Sequence, residues 1–119
     1  MKSIICTILL LVSLSVHAER DWTTEEKVWG ATATTLLLMD YGTTRNIAHR
    51  PNEYQEMNPL LGKHPSIAQV NLHFLVAIPA ILLAANYFPE YRKEILMITS
   101  AVELVAVGNN LKIGLHLDF

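Results

Sequence analysis

Met39–Pro65, MDYGTTRNIAHRPNEYQEMNPLLGKHP, is the only long polar stretch between apolar runs, and its reading decides the fold. Asp40 stands inside the end of one apolar helix. Thr43, Thr44, Arg45 and Arg50 follow, then Glu56-Met57-Asn58-Pro59 and Gly62, before the next apolar run opens. Pro51, Pro59, Gly62 and Pro65 break the helical pattern, and Asn58 is pushed toward extended geometry by the proline after it. Residues 45–65 therefore read as a polar loop capping a membrane bundle. It is either a solvated connector or a loop folded back over the bundle mouth. Met57, Leu60 and Leu61 beside Glu56 and Asn58 suggest the second.

Working outward, the run after the loop carries no Asp, Glu, Lys or Arg from Pro65 to Pro89, long enough to span a bilayer. Ser66 and Gln69 are spaced as a capping box at its start, and Pro79 should kink it or open its hydrogen-bond ladder. The last apolar run, Ile95 to Leu111, is interrupted by Glu103 and Asn109-Asn110. Upstream of the loop, Val28–Thr44 contains one formal charge, Asp40, and small residues from Gly30 to Thr35 that permit close helix contact. An aspartate near the centre of a span costs ~2.5–3.5 kcal/mol on insertion scales, so its neighbours or its depth must compensate. Thr23 and Glu26 form a second capping-box spacing, and Trp22 and Trp29 fall where an interfacial aromatic belt would lie.

Residues 1–18, MKSIICTILLLVSLSVHA, combine Lys2, an apolar core shorter than a span and Val16-His17-Ala18 as a cleavage site, the pattern of a signal peptide. The mature chain 19–119 would be one helical membrane domain with helices at about 24–46, 66–88 and 90–113. The expected fold is thus all-α: a bundle of three transmembrane helices after a cleavable signal. At 119 residues and 51% hydrophobic, with a net charge of -2, the chain has no basic stripe to follow a phosphate backbone, which excludes nucleic acid as a partner. Cys6 is the sole cysteine and lies in the signal segment, so a mature chain from Glu19 would hold no disulfide or thiolate ligand. Arg45, Arg50, Lys63 and Lys112 flank one side, against Arg92 and Lys93 on the other. With the signal, this predicts the N-terminus outside and the C-terminus cytoplasmic in a bacterial inner membrane.

That topology brings Asp40, Thr44, Asn71, His73, Glu103, Asn109 and Asn110 toward one end of the bundle, with Glu56 and Asn58 on the loop above them. Helical spacing places His73, Ala77, Ala80 and Ala84 on one face of the second helix. Thr99, Ser100, Glu103, Ala106 and Asn110 share a face of the third, and Gly30, Ala33, Asp40 and Thr44 one of the first; all three faces are expected to point inward. Intramembrane carboxylates are functional candidates, although a small bundle also uses them as hydrogen-bonding glue. Asp40, Glu56, His73 and Glu103 could be drawn together as a mixed oxygen and nitrogen metal set, without any metal-binding motif spacing to support it. No nucleophile motif and no phosphate-cradling glycine loop is present, so the residues name no reaction and no cofactor.

The pattern Asp40…Thr43-Thr44, Glu56-x-Asn58-Pro59-x-x-Gly62 and Pro65, with Asn109 near the end, resembles small uncharacterised multi-helix membrane proteins of bacteria and their phages. The resemblance implies a compact helical membrane domain without an assigned activity. Three function classes follow. The first is an accessory or binding protein whose partners are the bilayer and another membrane protein or a second copy. The second is a metal- or proton-dependent membrane enzyme or carrier. The third is a holin-like pore former, from which the cleavable signal and the uncharged tail depart.

Overall fold

A computed structural model describes residues 21–119; the expected signal segment lies outside the described residues. Three helices account for the regular structure, and no strand occurs among the described residues: α1 Thr24–His49, α2 Ile67–Tyr87 and α3 Arg92–Lys112. Both capping boxes form. Glu26 N donates to Thr23 Oγ1 at 3.1 Å and Thr23 N to Glu26 Oε1 at 2.9 Å. Ser66 and Gln69 repeat the exchange at 2.8 and 3.1 Å. Each box satisfies N–H groups that a helix start otherwise leaves orphaned.

α1 continues beyond its expected end, through Ile47 and Ala48 to His49. The stop is steric: Arg50 precedes Pro51, is excluded from the helical region, and takes φ -129°, ψ 56°. α2 runs through Pro79 without ending, with the proline buried.

α1 is the central element and packs along both other helices. Its Ala33, Leu37 and Tyr41, four residues apart, face Val70, Phe74, Ile78, Leu82 and Ala85 of α2 and Leu96 of α3. The Tyr41 ring stacks on Phe74 with centroids 5.2 Å apart. The expectation that α2 turns its small face inward is corrected here. Ala80 is exposed and His73, Ala77 and Ala84 are only half-buried, while the large apolar face is buried. Interlocked large side chains make more dispersion contacts than an alanine seam does, and against α1's Ala33 there is room for them.

α2 and α3 are each long and apolar enough to cross a membrane, and only 28% and 22% of their apolar windows is buried within the chain. Leu72, Val76, Ile98, Val102, Leu104 and Val105 stand exposed along them. A core helix of a water-soluble domain would bury most of such a surface.

At the end of the bundle opposite the loop, Arg92 is fully buried. Its Nε donates to Ala85 O and its Nη2 to Asn86 O, both at 2.8 Å. Its Nη1 lies 3.4 Å from Glu26 Oε1 and its guanidinium 4.9 Å above the Trp22 ring. One side chain thereby ties the start of α1 to the end of α2 and the start of α3.

Candidate functional site

Asp40 on α1, Glu103 on α3 and Glu56 from the loop come together. The Asp40 and Glu103 carboxyl groups lie within hydrogen-bonding reach, and Glu56 is close enough to interact electrostatically with both. The Thr44 hydroxyl, one turn beyond Asp40, donates to Asp40 Oδ1 at 3.0 Å. A hydroxyl has one proton to give. With that proton directed to Asp40, Glu56 Oε2 beside Thr44 is buried without a donor, and so is Glu103 Oε2. Burial holds the Glu56 carboxyl above the ordinary carboxylate range, and the charge of Asp40 adds to the rise against the lowering hydrogen bonds from the Asn58 and Met57 backbone. The arrangement gathers carboxyl groups from α1, α3 and the loop into one cluster.

The loop is folded to deliver Glu56 there. Glu56 Oε1 accepts the N–H groups of Met57 and Asn58, each at 2.9 Å, which turns Oε2 toward the bundle. Asn58 is part of this turn: its Oδ1 accepts Leu60 N at 2.9 Å, so its role is to shape the loop.

The remaining sequence candidates lie apart. His73 stands edge-on to Phe74, 4.9 Å between centroids, with no hydrogen bond to the three carboxyls. Among the described residues no three His, Cys, Asp or Glu side chains are placed to hold a metal ion. The expected metal set of Asp40, Glu56, His73 and Glu103 is therefore not assembled, because the α2 face that buries Phe74 leaves His73 beside the core. Asn109 is exposed, and its carbonyl accepts Ile113 N at the end of α3. Asn110 faces α1, where its Nδ2 donates to Thr43 Oγ1 at 2.9 Å.

A second polar network was not expected. Tyr41 Oη and Arg45 Nη1 both donate to Asn71 Oδ1, at 2.6 and 2.5 Å, and Arg45 Nε donates to Asp118 O at 2.9 Å. The last seven residues fold back along α1: Asp118 N donates to Gly42 O at 3.1 Å, His116 N to Asn46 Oδ1 at 3.3 Å, and Asp118 pairs with His49. That pairing holds the Asp118 carboxyl below its usual range. Gly114, at φ 101°, makes the reversal, a backbone state that side chains resist. The signal in the sequence was this glycine after the last helix, followed by His116 and Asp118.

Comparison with protein-family models, with curated proteins and with solved structures finds no match to this chain. The functional reading accordingly rests on the residues themselves.

Proposed function

We propose that this chain is a small integral membrane protein of the accessory or binding type, crossing the bilayer three times as α1, α2 and α3. The observation that carries the reading is the sidedness of the bundle. Asp40, Glu56, Glu103 and Asn110 gather between α1, α3 and the loop, while α2 and α3 offer apolar side chains from Leu72 to Leu83 and from Met97 to Val105 outward. Intramembrane polar groups that face the bundle interior fit this pattern. α1 is less apolar than the other two, and the hydrogen bond from Thr44 and the contact with Glu103 supply the compensation Asp40 requires. Arg45, Arg50, Lys63 and Lys112 at the loop end support a cytoplasmic loop and C-terminus in a bacterial inner membrane.

Alkaline carbonate washing of membranes tests the first part: retention is expected, and release would overturn it. Native electrophoresis of a mild detergent extract tests the second. A discrete complex, with another membrane protein or a second copy, is expected; a lone monomer would remove the binding role.

A second reading is favoured by the paired carboxyls of Asp40 and Glu103: a proton-dependent carrier using that group. Vesicles containing the purified protein and an internal pH dye would then show proton flux that Asp40→Asn abolishes.

A further inference from the structure

The loop that delivers Glu56 does not stay at the bundle's end. The Tyr54 hydroxyl donates to Ile113 O at 3.1 Å, at the C-cap of α3. Two residues later, Glu56 reaches Asp40, Thr44 and Glu103. Asp40 precedes the last residue of α1 by nine positions and Glu103 precedes the last of α3 by nine. At 1.5 Å per residue the carboxyl group lies about 14 Å up the bundle from both helix ends. The segment therefore climbs alongside the helices, into the depth that α2 and α3 occupy.

Backbone at that depth is tolerated only if its polar groups are satisfied without water. From Glu56 to Leu61 its N–H donors are. Glu56 N donates to Lys63 O at 2.8 Å, and Met57 N and Asn58 N to Glu56 Oε1. Pro59 has no N–H, Leu60 N donates to Asn58 Oδ1, and Leu61 N to Asn58 O at 3.1 Å. A loop in water has no need to close all five of its donors on itself. The side chains agree: residues 57–62, MNPLLG, carry no charge, and Met57 and Leu60 are each 82% exposed.

We propose that residues 56–61 form a re-entrant hairpin, with Met57 and Leu60 embedded among the acyl chains of the leaflet on the loop side. Lys63, on the returning arm, has a stem long enough to keep its ammonium among the headgroups. The proposal rests on the reading that α2 and α3 cross the bilayer.

The test uses the full chain carrying Cys6→Ser, with single cysteines introduced as Met57→Cys, Leu60→Cys, Asn52→Cys or Val105→Cys. Each is nitroxide-labelled in vesicles of phosphatidylcholine and phosphatidylglycerol, and collision rates are measured with oxygen and with a water-soluble nickel chelate. Positions 57 and 60 are expected to match lipid-facing position 105, with oxygen favoured severalfold, while 52 favours nickel. Nickel preference at 57 and 60 beside oxygen preference at 105 would overturn the hairpin and leave the membrane reading standing. Nickel preference at 105 as well would remove both. Low access to both reagents at 57 and 60 would mean a protein covers the tip, which also overturns lipid contact.

Discussion

Gly42 lies directly beneath the ring of Phe119: a Cβ at position 42 would stand 2.8 Å from Phe119 Cζ and 3.0 Å from Leu117 Cδ2. Both contacts are the far ends of side chains on a terminal segment, so the segment, not α1, should give way. Alanine in place of glycine favours the helix by about 1 kcal/mol. Gly42→Ala is therefore expected to leave the melting temperature of the bundle unchanged or slightly raised while releasing residues 115–119. Amide exchange would show faster exchange confined to that segment. Loss of the whole bundle would show that the tail is integral to the core.

Arg92 should behave in the opposite way. It is buried, its guanidinium serves two carbonyls and Glu26, and removing one partner of a buried pair leaves the other charge uncompensated. Arg92→Leu is expected to lower stability by about 3–5 kcal/mol in detergent unfolding. Arg92→Lys should not restore it, because one ammonium cannot reproduce the planar fork over Trp22. Neighbouring Lys93, whose pairing with Glu25 is solvated, should tolerate alanine with no measurable loss.

How much of this was legible in the chain beforehand divides by range. The capping boxes at Thr23 and Ser66 are read from spacing alone because their physics closes within four residues. The meeting of Asp40, Glu56 and Glu103 was approachable from depth, since a carboxyl in an apolar run needs a partner at its own level. The inward face of α2 was misread, because small residues license close packing without requiring it, and the bulk of Phe74 and Ile78 prevailed. The return of the tail was missed for a different reason. The contacts of Asp118 with Arg45, Gly42 and His49 lie some seventy residues apart in sequence, so Gly114 could announce a reversal but not the partners it leads to.

The Glu56 carboxyl makes loop docking depend on pH. Its pKa is raised in the folded chain, so its contribution is full below the range of a free carboxyl and is lost as pH rises through the docked value. A nitroxide introduced by Gln55→Cys, in the Cys6→Ser chain, is expected to gain mobility as pH rises beyond the ordinary carboxylate range. Glu56→Gln, neutral throughout, should flatten the profile. A gain in mobility on acidification would mean that Glu56 is docked as the anion.

The last expectation concerns the pair at the centre. Asp40 keeps the Thr44 hydroxyl whatever happens to Glu103, whereas Glu103, with Oε2 already unpartnered, has Asp40 as its neighbour in hydrogen-bonding reach. The two deletions should therefore be unequal. Asp40→Ala strands a buried carboxyl and is expected to cost about 1–3 kcal/mol. Glu103→Leu removes a polar group along with its desolvation penalty and should be nearly neutral. Combined, they should cost less than Asp40→Ala alone, because no stranded carboxyl remains on α3, a coupling on the order of 0.5–3 kcal/mol. Unfolding of the four variants in one detergent measures the cycle. Additivity within about 0.5 kcal/mol would show that the two carboxyls act independently, and the cluster would dissolve into two separate side chains.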